Sequence, residues 1–129
     1  MNFICARDSV QFHYRYSEGR ETWEGAKGRC EGEGGSLASV KDSRQLHLIA
    51  TSIPQPRVKL WLGLRTIDER WVSGERVTFT NFRYKYYKEG TRMFRNNFGQ
   101  ENSCIVMDKV KRLYKWEVEG CGEWRRYVC

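Results

Sequence analysis

The spacing of apolar residues changes twice along this 129-residue chain. Residues 11–17, QFHYRYS, alternate aromatic and polar side chains, the period-two pattern of a strand. Glu18-Gly19-Arg20 then turns the chain. From Trp23 the interval lengthens. Trp23, Ala26 and Cys30 recur at helical spacing and share one face. Thr22 is a good N-cap for this helix, and Glu24 places an acid in its first turn. Gly32, Gly34 and Gly35 end it. After the short apolar piece Leu37-Ala38-Ser39-Val40, Asp42 caps a second helix, with Gln45 as a capping-box partner. Leu46, Ile49 and Ile53 form its apolar stripe, and Pro54 and Pro56 stop it. His47 falls off that stripe and reads as a surface histidine.

Beyond the prolines the period shortens again. Trp61-Leu62-Gly63-Leu64, Trp71-Val72, Val77 to Phe79 and Cys104 to Met107 are short strand candidates, as are Leu113 to Trp116 and Arg126 to Val128. The order of one strand, two helices and then many short strands predicts a single α+β domain with its helices early. Between Phe79 and Cys104 the chain is rich in Arg, Lys, Tyr and Asn and has no clean period. A stretch of that length in a compact domain marks function or an unrecognised element.

Composition narrows the class. Hydrophobic residues make up 40% of the chain, with five Trp and only two Pro, which argues for a packed core rather than disorder. No stretch approaches the roughly 20 apolar residues of a membrane helix. The first ten residues carry Arg7 and Asp8 where a signal peptide needs an apolar run, so a mature chain or a piece of a longer protein is expected. The net charge of +7 favours anionic partners. The five cysteines (Cys5, Cys30, Cys104, Cys121 and Cys129) are widely spaced, without C-x-x-C, and only His13 and His47 could add imidazole ligands. Two disulfides with one cysteine left over is the economical reading, and it points to an oxidising compartment. Four cysteines alone allow three connectivities.

An ordered set of motifs then resembles the C-type lectin-like domain over roughly residues 11–129. Thr22-Trp23, Ala26 and Cys30 look like the family's first-helix signature. Gly35-Ser36-Leu37-Ala38-Ser39-Val40 looks like its next apolar strand, and Trp61-Leu62-Gly63-Leu64 is close to its W-I-G-L core. Trp71-Val72-Ser73-Gly74 resembles a family turn. Glu101-Asn102, Cys104, Trp116, Cys121 and Arg126-Tyr127-Val128-Cys129 complete the set. The resemblance implies two helices packed on short antiparallel sheets, a long loop region and two core disulfides, Cys30–Cys129 and Cys104–Cys121. Chain-entropy reasoning gives the long link roughly 4.7 kcal/mol and the short one roughly 3 kcal/mol. Long-form members add an N-terminal hairpin disulfide. Here its second position is His13, which leaves Cys5 unpaired or bridged to a second chain or an upstream segment. The expected setting is extracellular, as one domain (1–129) of a larger secreted or membrane-anchored protein.

The family's sugar-binding members hold one Ca²⁺ through hard oxygen ligands, and the present chain departs from that pattern. Asn96 and Glu101 match two ligand positions. Phe94 and Arg95 replace a ligand and a proline, and Trp116-Glu117-Val118 stands in place of Trp-Asn-Asp. Glu117 still offers oxygen, but Val118 does not. The expected cofactor is therefore none. A residual calcium site of Asn96, Glu101 and Glu117 is the alternative.

A second chemistry is stronger in the same region. Arg83, Lys85, Lys88, Arg92 and Arg95 accompany a single acid, Glu89, with Tyr84, Tyr86, Tyr87 and Phe94 interleaved. Lys109, Lys111, Arg112 and Lys115 form another basic cluster. Cationic groups attract sulfate or phosphate, and aromatic faces contact sugar rings or protein. The expected ligand face comprises Arg83, Lys85, Tyr87, Lys88, Arg92, Arg95, Lys111 and Arg112. It would take a protein or an anionic, sulfated glycan without calcium. A divergent calcium-dependent lectin is the alternative. No paired carboxylates or nucleophile–base pair suggests an enzyme. Nucleic acid is disfavoured by the compartment that disulfides imply, and no membrane insertion is expected.

Overall fold

A computed structural model describes residues 14–82 and 103–129. Two helices, α1 (Trp23–Gly32) and α2 (Ser43–Thr51), precede four strands: β1 (Arg57–Arg65), β2 (Ser103–Val110), β3 (Leu113–Gly120) and β4 (Arg126–Tyr127). Both helices start at the expected residues. The Thr22 hydroxyl accepts from the Gly25 N–H, and the Asp42 carboxylate accepts from the Gln45 N–H at 2.8 Å. The Gln45 side chain returns the bond one residue earlier than a standard capping box, accepting from Lys41 N–H at 2.7 Å.

The strands form one sheet in the order β3-β2-β1-β4. β1 and β3 pair antiparallel with β2, whereas the short β4 runs parallel to β1 through Leu60↔Arg126 and Trp61↔Tyr127. Residues 14–17 add an extended segment along the chain's end. Tyr16 bridges Val128, and Arg15 and Cys129 exchange backbone hydrogen bonds at 3.1 and 2.9 Å. The expected strands at Trp71-Val72 and Val77 to Phe79 do not form. Instead residues 70–76 make a tight turn closed by a single Arg70↔Arg76 bridge, with Gly74 at φ 107°. The apolar positions there anchor a loop: Trp71 is 1% exposed.

β1 is buried on both faces, which explains its unbroken apolar run. Leu60, Leu62 and Leu64 pack with Ile105, Met107 and Trp116 against Leu46, Ile49 and Ala50 of α2. Trp61, Cys104 and Val106 pack on the other face with Trp23, Ala26 and Cys30 of α1. Two indole hydrogen bonds tie the sheet to α1 and to the chain just before it. Trp23 Nε1 donates to Leu62 O at 2.8 Å, and Trp61 Nε1 donates to Glu21 O at 2.9 Å. Both expected disulfides form, Cys30–Cys129 and Cys104–Cys121.

Gly63 is where three segments converge. Its N–H donates to Ala38 O and its carbonyl accepts from Val72 N–H. A β-carbon there would lie 2.6 Å from Leu37 O and 2.7 Å from a Val72 methyl. Neighbouring backbone cannot yield as a flexible side chain can. Gly63→Ala is therefore expected to destabilise the fold by about 2–3 kcal/mol, the upper range of overpacking, as read by urea denaturation.

Candidate functional site

The candidate loop face is framed by the hairpin of β2 and β3. The chain reaches it along β3. Trp116 N–H donates to Asn81 O at 2.9 Å, Asn81 Nδ2 donates to Tyr114 O at 2.6 Å, and Phe82 bridges Trp116. The fully buried Trp116 is met edge-on by three rings, those of Trp71, Phe79 and Phe82, with centroids 5.7, 6.1 and 5.4 Å away. Such pairs each contribute about 0.5–1.5 kcal/mol beyond burial. The chain rejoins the sheet at Ser103, opposite Gly120, where Ser103 O accepts from both the backbone N–H and the hydroxyl of Thr66. The Cys104–Cys121 disulfide lies one residue on along β2 and one past the end of β3. Both anchors of the 83–102 segment thus sit on β2 and β3. The sequence-derived candidates Arg83, Lys85, Tyr87, Lys88, Arg92, Arg95, Asn96 and Glu101 lie outside the described residues, as does Cys5.

The second basic cluster separates on this frame. Lys111 and Arg112 are the exposed two-residue turn of the hairpin. Lys111 adopts φ 57°, and its N–H donates to Pro56 O at 2.6 Å. Seven residues of β2 separate this tip from Ser103, about 23 Å at strand rise. Lys115 is half-buried on β3, opposite Asp108. Lys109 is no ligand-facing cation: it is 8% exposed, and its ammonium donates to Ile53 O at 2.7 Å, satisfying a carbonyl just past α2. The alternation already placed it inward, since Lys109 continues the series Ile105, Met107.

The β3 residues at the calcium-ligand positions do not fit a hard-cation site. Val118 packs on the core beside Trp116. The Glu117 carboxylate lies 4.0 Å from Lys59 Nζ, on the opposite face of the strand. Lys59 also donates to Glu119 at 2.7 Å, and Arg125 Nε donates to the other Glu119 oxygen at 2.8 Å. This edge of the site carries a matched set of two acids and two cations. Among the described residues no three His, Cys, Asp or Glu side chains converge to hold an ion.

Burial is the largest influence on Glu119 and would raise its pKa. The hydrogen bonds from Lys59 and Arg125 outweigh it, and the carboxyl ends below its ordinary 4.5. The hydrogen bond to Glu119 raises the Lys59 pKa against the opposing effect of burial.

With this geometry in hand, the class is a disulfide-linked α+β domain whose β2–β3 hairpin holds both anchors of the 83–102 segment. A family model described as the lectin C-type domain matches residues 19–129, and the chain belongs to that family. C-type lectin lectoxin-Phi1 of Philodryas olfersii is 28% identical over 124 residues, covering 90% of this chain and 74% of that protein. The secretory phospholipase A2 receptor of Mus musculus is 30% identical over 142 residues, covering 97% of this chain but 9% of the receptor. Among solved structures, the mouse scavenger receptor C-type lectin carbohydrate-recognition domain matches with TM-score 0.69 at 21% identity, covering 90% of this chain and 86% of that one. A calcium-independent type II antifreeze protein matches with TM-score 0.71 at 17% identity, covering 90% and 82%. At these identities the structural matches establish the fold. No helix among the described residues is long and apolar enough to cross a membrane.

Two outcomes follow. Lys109→Ala strands the Ile53 carbonyl and should cost about 1–3 kcal/mol in chemical denaturation. A carboxyl whose pKa folding depresses adds stability above its unfolded value and loses it as pH falls through the folded one. Glu119→Gln should therefore flatten the fall of melting temperature on acidification below pH 4.5, relative to the parent chain.

Proposed function

We propose that this domain is an extracellular, non-enzymatic recognition module. It binds a protein or an anionic glycan without calcium, through the face where the 83–102 segment joins β2 and β3. Membership of the C-type lectin family supports ligand recognition. Two disulfides favour an oxidising, extracellular setting.

The observation that carries the calcium-independent reading is the pair Glu117-Val118. One side chain is held toward Lys59, and the other is half-buried against the core. Calcium needs six to eight oxygens, several of them anionic, so a pair whose one carboxylate lies beside a lysine supplies little of that set. The cations and aromatic rings of residues 83–95 supply the complementary chemistry: guanidinium forks for sulfate or carboxylate, and tyrosine faces for sugar or protein contact.

A glycan array of sulfated and neutral sugars, run in Ca²⁺ and in EDTA, tests this reading. Binding to sulfated sugars is expected to persist in EDTA and to weaken with salt. Arg92→Ala with Arg95→Ala should weaken it while changing stability by less than about 1 kcal/mol. Loss of binding in EDTA would favour the calcium-dependent alternative.

A further inference from the structure

At the opposite edge of the sheet from β3, the pairing of β1 with β4 begins only at Leu60↔Arg126. Arg57, Val58 and Lys59 thus run past the start of β4, and a pocket of about 300 Å³ opens between them and Trp124–Arg126. Arg20, Arg57, Lys59, Arg125 and Arg126 line it together with Trp124, and no acid among the described residues does. Lys59 and Arg125 are matched by Glu119 and Glu117 behind them. The other three cations are not. Arg20 and Arg57 are exposed and make no ion pair among the described residues. Arg126 lies over the Tyr16 ring at 5.3 Å and donates to its hydroxyl, a neutral partner. Trp124 is 58% exposed, whereas the other four tryptophans are 2% exposed or less.

We propose that this groove is a second ligand site, which takes a sulfated saccharide. Three guanidinium groups without carboxylate partners present forked donors suited to sulfate oxygens. An exposed indole beside them offers an apolar plane for the flat C–H face of a pyranose ring. Arg126 is pre-oriented by Tyr16, which lowers the side-chain ordering that binding requires. The matched Lys59–Glu119–Arg125 set forms a rigid wall. The described lining comes from residues 20, 55–59 and 124–126, none of them on the β2–β3 hairpin, so the proposal does not rest on the loop face.

The test is acrylamide quenching of tryptophan fluorescence, with a sulfated heparin-derived hexasaccharide as probe. Only Trp124 is open to the quencher among the five tryptophans. The hexasaccharide is expected to shield it saturably. Arg20→Ser with Arg57→Ser should weaken the apparent Kd by roughly tenfold. Lys27→Ser with Lys41→Ser removes the same charge elsewhere and should leave the Kd within about twofold. Trp124→Phe should abolish the quenching difference. The proposal is overturned if Trp124 stays equally quenchable at every probe concentration, or if Arg20→Ser with Arg57→Ser binds like the parent chain. It is also overturned if polyglutamate shields Trp124 as well as the hexasaccharide does, since the groove would then read charge without reading sugar.

Discussion

The double burial of β1 is the constraint on which the rest of the structure depends. Its apolar residues face two separate cores, one roofed by α2 and the other by α1. A strand in that position has no solvent side to tolerate error. Each fully buried large side chain contributes about 1.5–3 kcal/mol, and the run from Leu60 to Leu64 supplies several at once. The same burial forces the other details. Gly63 lacks a side chain because three backbone segments meet there, and both tryptophans on this seam place their N–H groups on carbonyls. The long disulfide then joins α1 to the chain's end, beside the second core.

From this seam outward, rigidity is handed to the β2–β3 hairpin, which carries no core helix of its own. The hairpin is held by unbroken pairing of β2 with β3, by pairing of β2 with β1 that shifts register between Trp61 and Arg65, by the short disulfide and by the rings around Trp116. Binding residues commonly sit on loops that a rigid scaffold positions, and this hairpin holds both anchors of the 83–102 segment. The charged side of β3 pairs with the cations of β1 and the segment before β4. Lys59 and Arg125 both bind Glu119, Glu117 lies 4.0 Å from Lys59, and Val118 packs against the core. A strand that sends one residue inward and ties its neighbour to a lysine retains little hard-oxygen character on the loop side.

Local chemistry made much of the fold legible. Thr22 and Asp42 mark their helices because a short oxygen-bearing side chain can satisfy the first free N–H groups, and the structure uses both. The apolar triplets Trp23-Ala26-Cys30 and Leu46-Ile49-Ile53 name the buried faces. The family motifs, rather than spacing, carried the disulfide pairing. The site was less legible. Trp71 and Val77 read as strands because apolar anchors in and beside a tight turn are as apolar as strand residues. Lys109 read as a ligand cation because charge was weighed above the alternation that turns it inward with Ile105 and Met107. The groove around Arg20, Arg57, Trp124 and Arg126 left no local signal, since its members come from three distant parts of the chain.

The central claim is that β3 has exchanged ion coordination for internal pairing. It is tested most directly by titrating Ca²⁺ into the ¹⁵N-labelled domain and following the backbone amides of Trp116, Glu117 and Val118. Extracellular calcium modules bind with dissociation constants as weak as roughly 1 mM, so the titration should run to about 10 mM. The account predicts no saturable shift at these amides. A saturable shift at Glu117 or Val118, reversed by EDTA, would contradict it.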